Sequence, residues 1–162
     1  MVTYADRPWT KKYDPGVPTT LHPYPDISMS HFLQESARKS PNNLALTTST
    51  HLPLVGRAGS DLTYGQLNEA SDALASALVD LGLKKGDRVA IVMPNVAAFV
   101  IAYFGIFKAG GVVAATNPTY PAERMREQIN DCGAEFVITL TLFYNTVKQI
   151  QAQTKIKTVI VT

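Results

Sequence analysis

Residues 87–118, DRVAIVMPNVAAFVIAYFGIFKAGGVVAATNP, constrain this chain more than any other stretch. They read as strand, helix, strand. Arg88–Met93 is mostly β-branched or apolar with little alternation, the pattern of a strand buried on both faces. Pro94-Asn95 breaks it. Val96–Phe107 is apolar on nearly every side, which predicts a buried helix. Gly110-Gly111 ends that helix, because glycine accepts the left-handed conformation of a helix stop. Val112–Ala115 follows as a second buried strand. Two parallel strands joined through a helix need a covered sheet and a right-handed crossover. The uncharged run from Val89 to Phe107 raises the question of a membrane span, but Pro94-Asn95 divides it. The helix that remains, about 12 residues, reaches roughly 18 Å against a hydrocarbon core of roughly 30 Å, so it reads as a core helix.

The rest of the composition agrees with that reading. The 162 residues are 46% hydrophobic and 17% charged, which suits one globular domain with a core. A formal charge of +2 supplies no field of the kind that binds nucleic acid, so nucleic acid is not an expected partner. The single cysteine, Cys132, excludes an internal disulfide and suits a reducing compartment. Met1–Trp9 has no apolar signal-peptide segment. The expected location is cytoplasmic, with peripheral contact to a membrane left open.

Residues 1–27 form a different kind of polymer from the rest. Pro8, Pro15, Pro18, Pro23 and Pro25, half of the ten prolines, fall there. Proline removes backbone donors and fixes φ, which disfavours helix and central strand. Tyr4, Trp9, Tyr13 and Tyr24 argue against a fully disordered tail. The expectation is an extended arm lying on a surface of this subunit or of a neighbour, with Trp9 and Tyr13 as packing anchors rather than a stacking platform for bases.

Residues 28–162 read as an α/β unit. Ser28–Ser40 is a short amphipathic helix, capped by Ser28 or Ser30, with Phe32, Leu33 and Ala37 facing inward. Leu44–Thr48 and Leu62-Thr63 read as the strands of a hairpin around a loop, His51–Asp61, that contains Pro53, Gly56 and Gly59. Thr63-x-x-Gln66 is a capping box opening a helix striped by Leu67, Ala70, Leu74, Ala77, Leu78 and Leu81. Gly82 stops it. Pro121 suits the first turn of a further helix carrying Met125, Ile129 and Cys132. Glu135–Leu140 and Lys157–Val161 are strands, with a helix marked by Leu142, Val147 and Ile150 between them. The sum is a mainly parallel sheet flanked by helices. Ligands in such sheets bind beyond the carboxyl ends of the strands, here Pro94-Asn95, Thr116–Pro121, Thr139–Thr141 and Thr162.

The chemistry is harder to find. No G-x-x-x-x-G-K-[ST] or G-x-G-x-x-G motif occurs. Gly105, Gly110 and Gly111 lie late in a helix, whereas a phosphate loop must precede one. The three histidines, His22, His31 and His51, fall outside the α/β core and share no metal spacing, so they read as surface residues. Cys132 lies on an apolar helix face near its C-terminus, the place of an inert thiol. Asp87 reads as a turn residue. Glu123 and Glu127, interleaved with Arg124 and Arg126, read as a solvated helix face. Asn95 reads as a helix cap and Asn117-Pro118 as a fixed turn; either could instead line a cleft.

Six blocks in order resemble the AMP-forming acyl-adenylate synthetases, and they cover almost the whole chain. Leu62-Thr63-Tyr64-Gly65-Gln66-Leu67 is similar to that family's first block. The match continues through Leu83-Lys84-Lys85-Gly86-Asp87-Arg88-Val89-Ala90 and Met93-Pro94-Asn95. Phe107-Lys108-Ala109-Gly110-Gly111, Asn117-Pro118-x-Tyr120 and Gln128-Ile129-Asn130-Asp131-Cys132-Gly133-Ala134 complete it. Arg7-Pro8-Trp9, Tyr13 and Pro15-x-x-Pro18 resemble the start of long-chain fatty acid–CoA ligases in particular.

The resemblance implies a two-step reaction. ATP, with magnesium, and a carboxylate give an acyl-adenylate and pyrophosphate; the thiol of coenzyme A then displaces AMP. The family's Ser/Thr/Gly-rich phosphate loop and its later adenine, acidic and lysine motifs do not occur here. No catalytic, cofactor-binding or metal residue can therefore be carried onto this chain. It is expected to be the N-terminal part of a longer ligase, folded but inactive by itself, with the remainder of that chain as its first partner. Two alternatives remain: a free-standing small-molecule-binding module, and an assembly piece whose arm makes a homodimer contact.

Overall fold

The computed structural model describes residues 3–52 and 56–162. Residues 3–28 hold two short 3-10 turns, Tyr4–Asp6 and Pro8–Lys12, and no strand or α-helix. Trp9 and Tyr13 do not anchor this segment in a core: they are 38% and 42% exposed, and the Trp9 ring lies 4.8 Å from that of Tyr4.

Helix α1 (Met29–Lys39) follows with Ser28 at its cap position. The Ser28 hydroxyl makes no cap bond; it meets the Ser30 hydroxyl at 2.8 Å. Leu33 is buried as the spacing predicts, but Phe32 is 52% exposed and does not face the core.

Strands β1 (Leu44–Leu52) and β2 (Gly56–Thr63) form an antiparallel hairpin. Both are much longer than the sequence suggested, and most of the expected loop His51–Asp61 is strand; Pro53 lies outside the described residues. Two causes are legible afterwards. Thr47, Thr48 and Thr50 are β-branched and favour extended backbone. Gly59, read as a turn signal, pairs with Ser49, and a Cβ there would sit 2.6 Å from the Thr48 carbonyl oxygen. It marks a close backbone approach within a strand, not a turn.

Helix α2 (Tyr64–Asp80) opens on the predicted capping box. The Gln66 amide donates to the Thr63 hydroxyl at 3.3 Å, and the Thr63 amide donates to Gln66 Oε1 at 3.0 Å. Its buried stripe is Leu67, Ser71, Ala75 and Leu78, whereas Ala77 and Leu81 are exposed. Ser71 is tolerated inside because its hydroxyl donates to the Asn68 carbonyl at 2.9 Å.

The remaining elements are β3 (Arg88–Val92), α3 (Ala97–Lys108), β4 (Val112–Thr116), α4 (Ala122–Cys132), β5 (Phe136–Thr139), α5 (Tyr144–Gln151) and β6 (Thr158–Val161). The strands pair in the order β4-β3-β5-β6, all parallel. Alternate residues of the central strands feed two cores. Val89, Ile91, Phe136 and Ile138 pack with Leu78, Ala102 and Ile106 of α2 and α3. Ala90, Val92 and Val137 pack with Met125, Ile129, Val147 and Ile150 of α4 and α5. The near-continuous hydrophobic runs of β3 and β5 are explained by burial on both sides.

Strand β4 departs from expectation. It is an edge strand, not a buried one: Val112 is 46% exposed and Ala115 is also exposed, because only β3 lies beside it. Among the described residues no helix is long and apolar enough to cross a membrane.

Candidate functional site

The strand order creates a crevice. β3 leads into α3 on one face of the sheet, and β4, beside it, leads into α4 on the other. Their connections therefore diverge above neighbouring strand ends, which is where parallel sheets place ligand sites. A cleft of about 400 Å³ lies there. Met93, Pro94 and Asn95 form one wall, Ala115 through Thr119 the other, and Phe99 of α3 lines it as well.

Local chemistry shapes both walls. The Asn117 side chain accepts the Thr119 amide at 3.0 Å and the Thr119 hydroxyl at 2.8 Å, an Asx turn that holds Pro118 in place. Asn95 does not cap α3, because the N-cap is Val96 and it makes no side-chain bond. Asn95 instead lines the cleft, exposed. Thr116 is 3% exposed, and its hydroxyl has no hydrogen-bond partner among the described residues. The cleft lining is uncharged and largely apolar.

Of the strand ends that the sequence grouped together, the structure brings Pro94-Asn95 and the segment 116–119 into one lining. Thr139 and Thr162 stand further along the same edge. The Thr162 amide donates to the Thr139 carbonyl at 3.0 Å, and the Thr141 amide to the Thr162 carbonyl at 3.2 Å. Met93 and Phe99 were missed as lining residues. Their only signal was position, one residue past β3 and one turn into α3.

The other candidates stay apart from the cleft. His31 lies on α1 at 3.2 Å from Glu35, His22 packs its ring 4.2 Å from Tyr24, and the His51 side chain lies outside the described residues. Cys132 is half-buried rather than buried, with its thiol donating to the Ile129 carbonyl at 3.3 Å. Asp87 accepts the Lys84 amide at 2.8 Å and closes the turn before β3. Glu123 pairs with Arg126 at 2.9 Å, and the Arg124 guanidinium sits 4.2 Å above the Tyr120 ring. Among the described residues no three His, Cys, Asp or Glu side chains are grouped so as to hold a metal.

Fold and crevice together define a layered α/β subdomain with a cleft at the carboxyl edge of its parallel sheet. The chain belongs to the AMP-binding enzyme family, whose model matches residues 33–162. It is 33% identical over 155 residues to a long-chain-fatty-acid–CoA ligase of Escherichia coli, covering 95% of this chain and 26% of that protein. Identity to the Bacillus subtilis ligase of the same name is 33% over 140 residues, covering 86% of this chain and 23% of that one. The fold matches a fatty acyl CoA synthetase of Mycobacterium tuberculosis with a TM-score of 0.70 at 27% identity, over 83% of this chain and 26% of the other. The chain thus spans about a quarter of the length of the curated relatives it matches, and corresponds to their N-terminal part.

Proposed function

We propose that this chain supplies the N-terminal subdomain, residues 28–162, of a long-chain fatty acid–CoA ligase, preceded by an arm of residues 1–27. The longer protein joins a fatty acid to coenzyme A at the expense of ATP. Adenylation converts a poor leaving oxygen of the carboxylate into a good one, with magnesium offsetting phosphate charge. Among the described residues no three His, Cys, Asp or Glu side chains are grouped as metal ligands. What this chain contributes is the sheet, the α3 layer and both walls of the cleft.

The observation that carries this reading is α3. Ala97–Phe107 holds no charge, yet only Ala102, Gly105 and Ile106 are buried. Phe99, Val100, Ile101, Tyr103, Phe104 and Phe107 stay half-buried. A helix apolar all round belongs inside a larger body, and the remainder of the ligase chain would provide it. Pyrophosphate release tests the reading. The protein extended to the length of its relatives should release pyrophosphate with ATP, magnesium and palmitate, and the 162 residues alone should not. Release by the short chain, or none by the extended one, would refute it.

The exposed arm favours a second, compatible role in assembly. Tyr4, Leu21 and Tyr24 are 86%, 71% and 60% exposed. Removing residues 1–26 should lower the solution mass per assembly if the arm joins two copies. We place the protein in the cytoplasm.

A further inference from the structure

Strand β4 leaves one side of its backbone unused. The Val112 amide donates to the Asp87 carbonyl at 2.8 Å, so Val112, Ala114 and Thr116 turn their backbone groups toward β3. Val113 and Ala115 therefore point theirs away from the sheet, where no strand lies among the described residues. Edge strands are normally protected by a charge, a proline or a bulge. Val112–Thr116 has none of these: its register with β3 is unbroken and every residue is uncharged. The opposite edge, β6, is entered through Lys155 and Lys157, cations of the kind that discourage pairing.

Helix α4 runs beside the open edge and decides what can pair with it. Gln128 Nε2 donates to the Ala115 carbonyl at 3.3 Å, while its Oε1 is buried without a partner among the described residues. Tyr120, Arg124, Glu127, Gln128 and Asp131 line a polar pocket of about 330 Å³ there. Arg124 lies near the start of α4 and Asp131 near its end, both exposed. A second α4 laid alongside in the reverse direction brings each Arg124 to the other copy's Asp131. A second α4 in the same direction sets like charges together. The reverse direction is the one that a two-fold axis produces. Ala114, in register with Ala90, faces the α4 layer with only a methyl group, which leaves two such helices room to approach.

We propose that β4 is a self-association edge: a second copy of this chain pairs its β4 antiparallel to this one about a two-fold axis at Ala114. Val113 of each copy exchanges amide-to-carbonyl bonds with Ala115 of the other. Arg124 of each copy meets Asp131 of the other. The backbone amides brought to the edge stand beside the unpartnered Gln128 oxygen. The two sheets become one continuous sheet. The contact is small, so the association is weak and concentration-dependent. It is separate from the arm of residues 1–27 and does not depend on the ligase reading.

Sedimentation velocity of the 162-residue chain from about 10 μM to about 1 mM, the range in which small interfaces act, provides the test. A rise from one copy to two is expected, with amide exchange at Val113 and Ala115 slowing as the dimer fills. Ala115→Pro removes an outward amide and no bond to β3, so it should weaken pairing at least about 10-fold. Arg124→Asp and Asp131→Arg should each weaken it about 3- to 10-fold, and the two together should restore it. No assembly over this range, a dimer unaffected by Ala115→Pro, or charge variants that do not compensate would overturn the proposal. Should Ala115→Pro fail to fold, the charge-swapped pair decides, since both residues are exposed. Removing residues 1–26 should leave this dimer intact; its loss there would move the contact to the arm and overturn the proposal as well. Pyrophosphate release by the extended protein is unaffected by any of these outcomes, so the two readings fail separately.

Discussion

The helices on the two faces of the sheet obey different rules. α4 is amphipathic: Met125 and Ile129 are fully buried, while Glu123, Arg124 and Glu127 are exposed. α3 carries no charge until its last residue, Lys108, and its four aromatic residues, Phe99, Tyr103, Phe104 and Phe107, are only half-buried. Phe107 stands edge-on to Tyr103 with centroids 4.7 Å apart, and both are only half-buried. The α4 layer is finished against water. The α3 layer has apolar surface that one sheet and two neighbouring helices do not use up. On the proposed ligase reading, that asymmetry marks the α3 side as the one that faces the remainder of the chain.

The comparison predicts equal inner faces and unequal outer ones. Ile106 of α3 and Ile129 of α4 are both 0% exposed, in opposite cores. Truncation of either to alanine should cost about 2–5 kcal/mol in urea unfolding. A loss below about 1 kcal/mol at one position alone would show that the two layers do not share the central strands as support.

A smaller effect probes how tightly α3 is held on its own side. Gly105 lets α3 approach α2, since a Cβ there would fall 2.8 Å from Leu74 Cδ2. Gly105→Ala should therefore destabilise by about 1–3 kcal/mol despite alanine's better helix propensity. In the double variant with Leu74→Ala the two costs should sum to less than their parts. Simple additivity would mean that the helices separate freely. A polar clasp supports the same contact. Lys108, with its side chain 5% exposed, reaches Asp72 at 2.8 Å and the Asn68 side-chain oxygen at 2.8 Å.

How much of this was legible in the sequence depends on how local the cause was. β3, α3 and the Gly110-Gly111 stop follow from a run of apolar residues punctuated by Pro94 and glycine. The Thr63–Gln66 box is a four-residue signal that formed as read. The hairpin was misjudged because Gly59 serves a contact with Thr48, eleven residues away, and glycine spacing alone cannot separate a turn from a close approach. β4 reads like β3 in composition, but its edge position is set by strand order, which no single segment encodes. The cleft was legible as a set of strand ends. Its lining by Met93 and Phe99, and the unpaired Thr116 hydroxyl, required the packed structure.

The next effect tests the one element that sequence chemistry specified outright. Thr63→Ala removes the acceptor for the Gln66 amide at the start of α2. A loss of about 1 kcal/mol is expected, with Thr63→Ser close to neutral. No loss would mean that the contacts of Leu67 and Leu78 fix α2 without help from its cap.

The smallest effect concerns the helix that lies over α3. Phe32 and Leu33 of α1 line an apolar depression of about 350 Å³ together with Val100 and Phe104 of α3, so α1 covers part of the surface that α3 leaves open. α1 turns charge to the other side: Lys39 lies 2.8 Å from Glu35, His31 3.2 Å and Arg38 3.6 Å. The hydrogen bond and charge of Lys39, aided by His31 and Arg38, hold the Glu35 carboxyl below its ordinary 4.5. A carboxyl lowered on folding adds stability that is present above its unfolded value and is lost as pH falls through the folded one. The Glu35 side chain is 36% exposed, so salt screens the interaction and its effect on unfolding should be slight. Carboxyl chemical shifts give the clearer readout: Glu35 should titrate below the ordinary value in the parent chain and move back up in Lys39→Ala. If the two curves coincide, the charged lattice of α1 is decoration, and α1 covers the α3 layer through its apolar contacts alone.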